Sequence, residues 1–312
     1  MSSSPQRFEV LPRDLSAYRR GNVGVDHVHR FDSGRPGPHV LVNALTHGNE
    51  FCGMVAVTDL LDRGVRPAIG KLTVSFANVA AYETFDPERP FESRMLVHNL
   101  NRIWSEAWLD GPEDSPELRR AREMREVVAA ADHILDIHST SQPVQPFWVY
   151  PAFERNGAAT LAIGSPQVHL VMPQGLGSGT PLIQHGAHGT AGHHGVAVVV
   201  ECGQHFQQAT ADLAKAVTHD FLAHFGLLPR AEPQPPRPPA RRFQLLQTWV
   251  VKSPDFRFAR PVIGFETFAA GELIATDGDE PIVAPCDDCT ILMPARTPVV
   301  GREGVYLSRP MA

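Results

Sequence analysis

Thr46-His47-Gly48-Asn49-Glu50 places an imidazole and a carboxylate three residues apart. The pair follows the apolar run His39 to Leu45, β-branched at Val40 and Val42 and preceded by Gly37-Pro38, which reads as a buried strand. From Glu50 the pattern turns helical over Phe51 to Leu61, with Val55, Leu60 and Leu61 available for a buried face. A strand-to-helix turn therefore brings His47 and Glu50 to one side. A ring nitrogen and a carboxylate oxygen converging in this way suit one divalent ion, zinc included. A catalytic zinc takes three protein ligands and an open position, so two are not enough. Alone, the pentapeptide favours the plainer reading of a strand-end histidine beside a glutamate that the helix dipole stabilises.

The third candidate ligand is His138, in Asp136-Ile137-His138-Ser139-Thr140, closing the run His133 to Ile137. Two independent runs thus end in histidines, and open parallel α/β sheets build their sites along that rim. Asp136 is a candidate to orient His138, although strand alternation leaves its direction open. His47, Glu50 and His138 together make a zinc centre the favoured reading. Such a centre needs a general base for the attacking water. Glu201 is the candidate, because it ends the fully apolar run Val196 to Val200, where a carboxylate is costly unless exposed or paired. His205 nearby reads as a satisfied surface histidine. Arg94 and Asn99-Leu100-Asn101-Arg102 offer guanidinium and amide donors to anionic substrate oxygens. Surface pairing with Glu83, Glu88 or Glu92 is the plainer alternative for these arginines.

The elements that must hold these groups follow from periodicity. Strand, helix and then Lys71 to Ala77 form a βαβ unit, which implies a parallel pair. A long connection, 78–114, carries Pro87, Pro90 and Pro112, and loops of that length are usually functional. Ser115-Pro116 caps a helix whose apolar positions run from Leu118 to Ala131. Phe147 to Tyr150 and Val196 to Val200 are further strands, and 208–226 a closing helix. Residues 1–38 read as polar and turn-rich. The fold class is α/β, an open and mainly parallel sheet flanked by helices, with a small C-terminal all-β domain. The expected boundaries are 1–228 for the catalytic domain, 229–242 for a linker with six prolines, and 243–312 for the β domain.

Composition bounds the function. Hydrophobic residues at 43% and charged residues at 20% describe a soluble globular protein, and a net charge of −6 argues against a nucleic-acid partner. No apolar run approaches the roughly 18 residues of a membrane span, and the start lacks the apolar core of a signal peptide. Four cysteines do not form a disulfide framework, so a reducing cytoplasm is expected. Cys286-Asp-Asp-Cys289 reads as a hairpin turn, and Cys52 and Cys202 as packing residues.

His47-Gly-Asn-Glu50, Arg94 with Asn101-Arg102, Asp136-Ile-His138 and Val200-Glu201-Cys202-Gly203 together resemble the succinylglutamate desuccinylase/aspartoacylase family. These are zinc hydrolases related to carboxypeptidases, and the resemblance covers roughly residues 37 to 210. It implies one zinc on His47, Glu50 and His138, with Glu201 as general base and acid. It further implies that Arg94 polarises the scissile acyl carbonyl while Asn101 and Arg102 hold the substrate carboxylate. The activity implied is hydrolysis of a small N-acyl amino acid or similar linear amide, with a metallocarboxypeptidase acting on peptide C-termini as the alternative. One departure stands out. The family's aspartoacylases carry an arginine about ten residues before the catalytic glutamate, whereas no arginine lies between Arg155 and Arg230 here. That stretch reads His185-Gly-Ala-His-Gly-Thr-Ala-Gly-His-His194, expected as a mobile loop whose histidines are weak anion ligands. Tyr306 is expected to line the site from the β domain, and oligomeric state is left open.

Overall fold

The computed structural model describes residues 7–175, 178–230 and 238–311. The strands of its first part are β1 (Val28–Asp32), β2 (His39–Ala44), β3 (Lys71–Phe76), β4 (His133–Thr140), β5 (Phe147–Pro151), β6 (Val168–Met172) and β7 (Ala197–Gln204). Those that follow are β8 (Arg241–Val250), β9 (Arg257–Phe258), β10 (Thr267–Phe268), β11 (Leu273–Asp277), β12 (Glu280–Val283), β13 (Cys289–Leu292) and β14 (Glu303–Pro310). Helices are α1 (Phe51–Asp62), α2 (Val79–Tyr82), α3 (Glu106–Leu109), α4 (Pro116–Ala129), α5 (Glu154–Ile163) and α6 (Gln208–His224).

Eleven strands join in one sheet, in the order β1-β3-β2-β4-β7-β5-β6-β8-β14-β13-β10. The centre is parallel, β3-β2-β4-β7, as the βαβ pattern requires. β5 enters antiparallel beside β7, β8 lies parallel to β6, and β14, β13 and β10 continue antiparallel. The chain is thus the expected α/β fold with an antiparallel C-terminal β region.

Both faces of the centre are covered. Val40, Val42, Val198 and Val200 pack with Met54, Val57, Val217 and Phe221 of α1 and α6. Leu41, Ile134, Ala197 and Val199 pack on the other face with Leu118, Ala121, Met124 and Val128 of α4. With apolar neighbours on either side, these strands carry no polar alternation. A separate cluster including Trp249, Phe268, Ile291 and Val305 fills the C-terminal β region.

Among the longer elements, β1, β6, β14 and α5 were not legible in the sequence. β1 lies within the stretch read as turn-rich, and as an edge strand against β3 it buries only Val28 fully. Within the proline-rich stretch, residues 231–237 lie outside the described residues, while Arg241 and Arg242 already belong to β8 and pair with Val168 and His169 of β6.

The 96–98 part of the long connection is tied to α4 by a buried carboxylate, and its 109–113 part by Arg122, which donates to the carbonyls of Leu109, Gly111 and Glu113. Glu117, fully buried in the first turn of α4, accepts backbone N–H groups of Leu96 (2.6 Å), Val97 (3.3 Å) and His98 (3.2 Å). This carboxylate shapes the loop that carries Arg94 and Asn99, and its position at a helix N-terminus favours its charge. Glu117→Ala should destabilise the fold by about 3 kcal/mol, since hydrogen bonds to a charged group are worth roughly 1.5–3 kcal/mol each and are not additive. Urea unfolding measures the loss, and amide exchange at Leu96, Val97 and His98 should accelerate together. Unchanged exchange at these amides would show that other contacts hold the loop.

Candidate active site

The chain leaves β2 through Leu45, whose φ of 57° lies in the left-handed region and redirects the backbone. That turn is held by Ala77 N–H on Ala44 O and Asn78 N–H on Leu45 O, each at 2.8 Å. Gly48 follows where nothing larger fits, because a Cβ there would stand 2.4 Å from both Ser93 O and Tyr82 N. The neighbouring backbone, not a flexible side chain, fills this space. His47 and Glu50 are therefore set on the rim by backbone packing.

Their side chains meet. Glu50 Oε1 lies 2.8 Å from His47 Nδ1, and Glu50 Oε2 lies 3.0 Å from His138 Nδ1. Ligand atoms of His47, Glu50 and His138 all fall within 4.8 Å of one another, and each residue is 2% exposed or less. The far nitrogen of each ring is committed elsewhere. His47 Nε2 faces Asn99 Oδ1 at 2.9 Å, an oxygen that also accepts Asn101 N–H, which fixes the orientation of the amide. His138 Nε2 faces Asp136 Oδ2 at 2.8 Å. Asp136 and His138, two apart on β4, share one face, so strand alternation aims the aspartate at the histidine.

This geometry tests whether a metal fits. Both Nε2 atoms face acceptors and carry the ring hydrogen, which leaves each Nδ1 as the atom nearest the Glu50 carboxylate. The neutral His47 ring turns a lone pair toward that anion while the His138 ring holds an added proton against it, so the space between the three groups is one that positive charge stabilises. Two imidazoles and a carboxylate are a donor set for a divalent transition metal, with acceptors behind each ring fixing the tautomer. The residues therefore fit a metal ion. Burial and the Arg94 charge pull the His47 imidazole down to about 4, so it stays neutral. Burial pushes Glu50 up, but His47 and His138 overrule it and hold the carboxyl well below its ordinary range. Burial lowers His138 as well, and Asp136 with Glu50 outweighs it and raises the ring well above its ordinary value.

The rim is braced by a line of polar groups crossing the sheet. Ser75 Oγ donates to Asn43 Oδ1 at 2.6 Å, and Asn43 Nδ2 and Thr46 Oγ1 both donate to Asp136 Oδ1 at 2.8 Å. Ser75, Asn43 and Asp136 are register neighbours on β3, β2 and β4, which is why they meet.

Glu201 pairs in register with His138 across β4 and β7, and it is 8% exposed. Its Oε2 is buried without a hydrogen-bond partner among the described residues. Burial raises its carboxyl to about 8, with the Glu50 and Asp136 charges adding to the effect and His138 and Arg94 opposing it. Arg94 Nη1 donates to Glu50 Oε1 at 3.0 Å, and its other guanidinium N–H groups have no partner among the described residues. Asn101 Oδ1 accepts Leu182 N–H at 3.1 Å while its side chain lines the cleft. Arg102 donates through Nε to Glu303 Oε1 (2.6 Å) and Ser178 Oγ (3.0 Å), and through Nη2 to Tyr306 OH (2.9 Å). Although burial opposes ionisation of Glu303, Arg102 holds its carboxyl down at about 2, while burial pushes Tyr306 up to about 12. All seven sequence-predicted residues line one cleft of about 1460 Å³, joined by Tyr306.

Some readings change. His205 is not a surface residue: it is buried in the cleft wall, bonded through Nδ1 to Ser139 Oγ at 2.8 Å, and burial holds it at about 3. The 185–194 stretch is tied down. Arg155 donates to the carbonyls of His188, Thr190, Ala191 and Gly195, while His185 and His188 bond the carbonyls of Trp104 and Ala131. Those two histidines face backbone, not an anion. Glu303 was missed, because its place depends on β8 docking on β6 and on a bulge between Glu303 and Val305.

A covered parallel sheet with a metal-competent His–Glu–His cluster and an unpartnered acid in one cleft is the architecture of a hydrolase. The chain belongs to the succinylglutamate desuccinylase/aspartoacylase family, whose catalytic-domain model matches residues 36–223. Among solved structures, succinylglutamate desuccinylase from Vibrio cholerae matches with a TM-score of 0.68 at 18% identity, covering 91% of this chain and 85% of that one. The Chromobacterium violaceum succinylglutamate desuccinylase matches with a TM-score of 0.67 at 19% identity, over 93% and 90% of the two chains. The ectoine utilization protein EutE from Ruegeria pomeroyi, a product-bound structure, matches with a TM-score of 0.63 at 17% identity, over 91% and 88%. At such identities the likeness speaks for the fold. No curated protein sequence matches. Among the described residues no helix is long and apolar enough to cross a membrane.

The raised Glu201 carboxyl sets a pH dependence. Between the ordinary carboxylate range and about 8 the folded chain keeps a proton that the unfolded chain has released. Stability of the metal-free protein therefore falls as pH rises through this window and levels off above it. Glu201→Gln does not titrate, so its melting temperature should exceed wild type's by a margin that grows from about pH 5 to about pH 9. A margin constant over that range would mean that Glu201 is ionised throughout.

Proposed function

We propose that this protein is a zinc-dependent amidohydrolase that removes an acyl group from an N-acylated amino acid or a similar small carboxylate-bearing amide. The observation that carries the reading is Glu201, a buried acid with one unpartnered oxygen beside the His47–Glu50–His138 cluster. Zinc held by those three residues would supply Lewis-acid polarisation of the carbonyl and activation of water. The remaining work falls to the chain. Glu201 takes a proton from the attacking water at its open oxygen and returns it to the departing amine. A carboxyl raised toward neutrality is suited to both steps.

Arg94, with guanidinium N–H groups left over after its bond to Glu50, donates to the acyl oxygen as charge develops there. Asn101 is anchored through its oxygen and offers its amide N–H groups to the substrate carboxylate. Arg102 is locked by Glu303, so it acts as a fixed fork. Tyr306 accepts from Arg102 through its oxygen, which leaves its own O–H free to donate to the same carboxylate. A metallocarboxypeptidase would use the same groups on a peptide, so blocked dipeptides are the discriminating substrates.

Glu201→Gln should keep one equivalent of zinc and lose roughly 10²–10⁴-fold in kcat, the usual worth of general acid–base catalysis. Metal analysis beside steady-state kinetics checks both halves, and a variant retaining half its turnover would remove Glu201 from the role. Arg102→Ala should chiefly raise KM, because the carboxylate it holds does not change during reaction. Replacing the substrate carboxylate by a neutral amide should cost wild type far more than this variant. Equal discrimination by both proteins would show that Arg102 does not read the carboxylate.

A further inference from the structure

The strands that carry the reactive edge also build an apolar floor beside it, and register fixes where that floor lies. Val199 stands two residues before Glu201 on β7, so the two side chains share a face. Val199 is the register partner of Val149 on β5, and Val149 is in turn the partner of Leu170 on β6, two residues before Met172. Val199, Val149 and Met172 therefore form a stripe that starts beside Glu201 and crosses three strands, and all three line the cleft. Val149 and Val199 are buried, and Met172 is half-buried. Neither β5, β6, β7 nor residues 182–184 carry a lysine or an arginine. Their one histidine, His169, lies on the opposite face, where its Nδ1 bonds Tyr150 OH at 2.9 Å.

A second wall ties this stripe to the Asn101–Arg102 turn. Thr180 N–H donates to Arg102 O at 2.9 Å, Trp104 N–H donates to Thr180 O at 3.0 Å, and Leu182 N–H donates to Asn101 Oδ1 at 3.1 Å. The segment 180–183 is thus strapped along that turn, and it brings Ile183 into the same apolar cluster as Val149 and Val199. Ile183 lines the cleft as well. A carboxylate laid on this surface would lose its hydration with no cation on these elements to replace it, and with the Glu201 acid beside it. An aliphatic group has no such hydration to lose, and it takes apolar area out of water.

We infer that Ile183, Val199, Val149 and Met172 form an apolar pocket for the side chain of the departing amino acid, so that the substrate is an N-acyl derivative of an aliphatic amino acid and not of aspartate or glutamate. The inference rests on the deacylase reading, which sets the α-carboxylate on Asn101 and Arg102 and the amide nitrogen at Glu201. Leucine and aspartate have nearly the same shape, and glycine has no side chain. Titration calorimetry of these three free amino acids on the zinc-loaded full chain therefore reads the pocket without knowledge of the acyl group. Leucine should bind at least about tenfold tighter than glycine, and aspartate no tighter than glycine. Val199→Thr keeps the shape and adds a hydroxyl, so it should weaken leucine by roughly threefold or more and leave glycine unchanged. Met172→Lys, at a half-exposed position that tolerates a charge, should tighten aspartate by roughly fivefold or more. Aspartate binding as tightly as leucine, leucine binding no tighter than glycine, or wild-type affinities in both variants would each overturn the pocket. Hydrolysis of N-acyl leucine and N-acyl aspartate is scored separately. A failed leucine preference with intact hydrolysis removes the pocket alone, and a preserved preference with no hydrolysis of either compound removes the deacylase reading.

Discussion

Two carboxylates, Glu50 and Asp136, are buried at 1% and 0% exposure on one edge of the sheet, and the site depends on how their charge is tolerated. Removing an ion from water costs several kcal/mol unless partners replace the lost hydration. Asp136 is compensated by Asn43, Thr46 and His138, three donors at 2.8 Å. Glu50 faces both imidazoles, Arg94 and the backbone N–H of Ser139. Each partner is set by register or by a backbone turn, so the fold and the site are one construction. Taking away a single partner would leave a buried charge uncompensated, which is costlier than never having buried it.

Glu201 is the counterpart. It stands on the neighbouring strand beside His138, yet one of its oxygens meets no partner, and burial holds its proton to about 8. The same rim thus holds Glu50 as an anion and leaves Glu201 poised between states. Carboxyls pushed apart by their surroundings are how one cleft divides ligand and proton-transfer roles. Arg102 follows the opposite plan. Its pairing with Glu303 and Tyr306 fixes the fork and offsets its charge within the cleft.

What could be read from residue order was whatever depends on local pattern. The apolar run Val196–Val200 announced a strand covered on both faces, and the histidines ending two such runs announced the rim. His47, Glu50, His138 and Glu201 were therefore nameable before any coordinates. What escaped were positions fixed by contacts distant in sequence. Glu117 reads as an ordinary helix-start acid until the 96–98 loop folds onto it, and Glu303 is one charge in a β region until β8 docks on β6. His205 looked like a surface residue because nothing local shows that Phe91 and Ser139 close over it. β1 was lost because an edge strand with a single fully buried residue carries almost no hydrophobic signal.

The central claim, that the His47–Glu50–His138 cluster holds one ion on which amide hydrolysis depends, is tested most directly by stripping the protein of metal and titrating zinc back while following N-acyl amino acid hydrolysis. The account predicts negligible turnover without metal and a rise that is linear up to one equivalent per chain and then flat. Full turnover by the metal-free protein, or a rise that continues past several equivalents with no break at one, would contradict it.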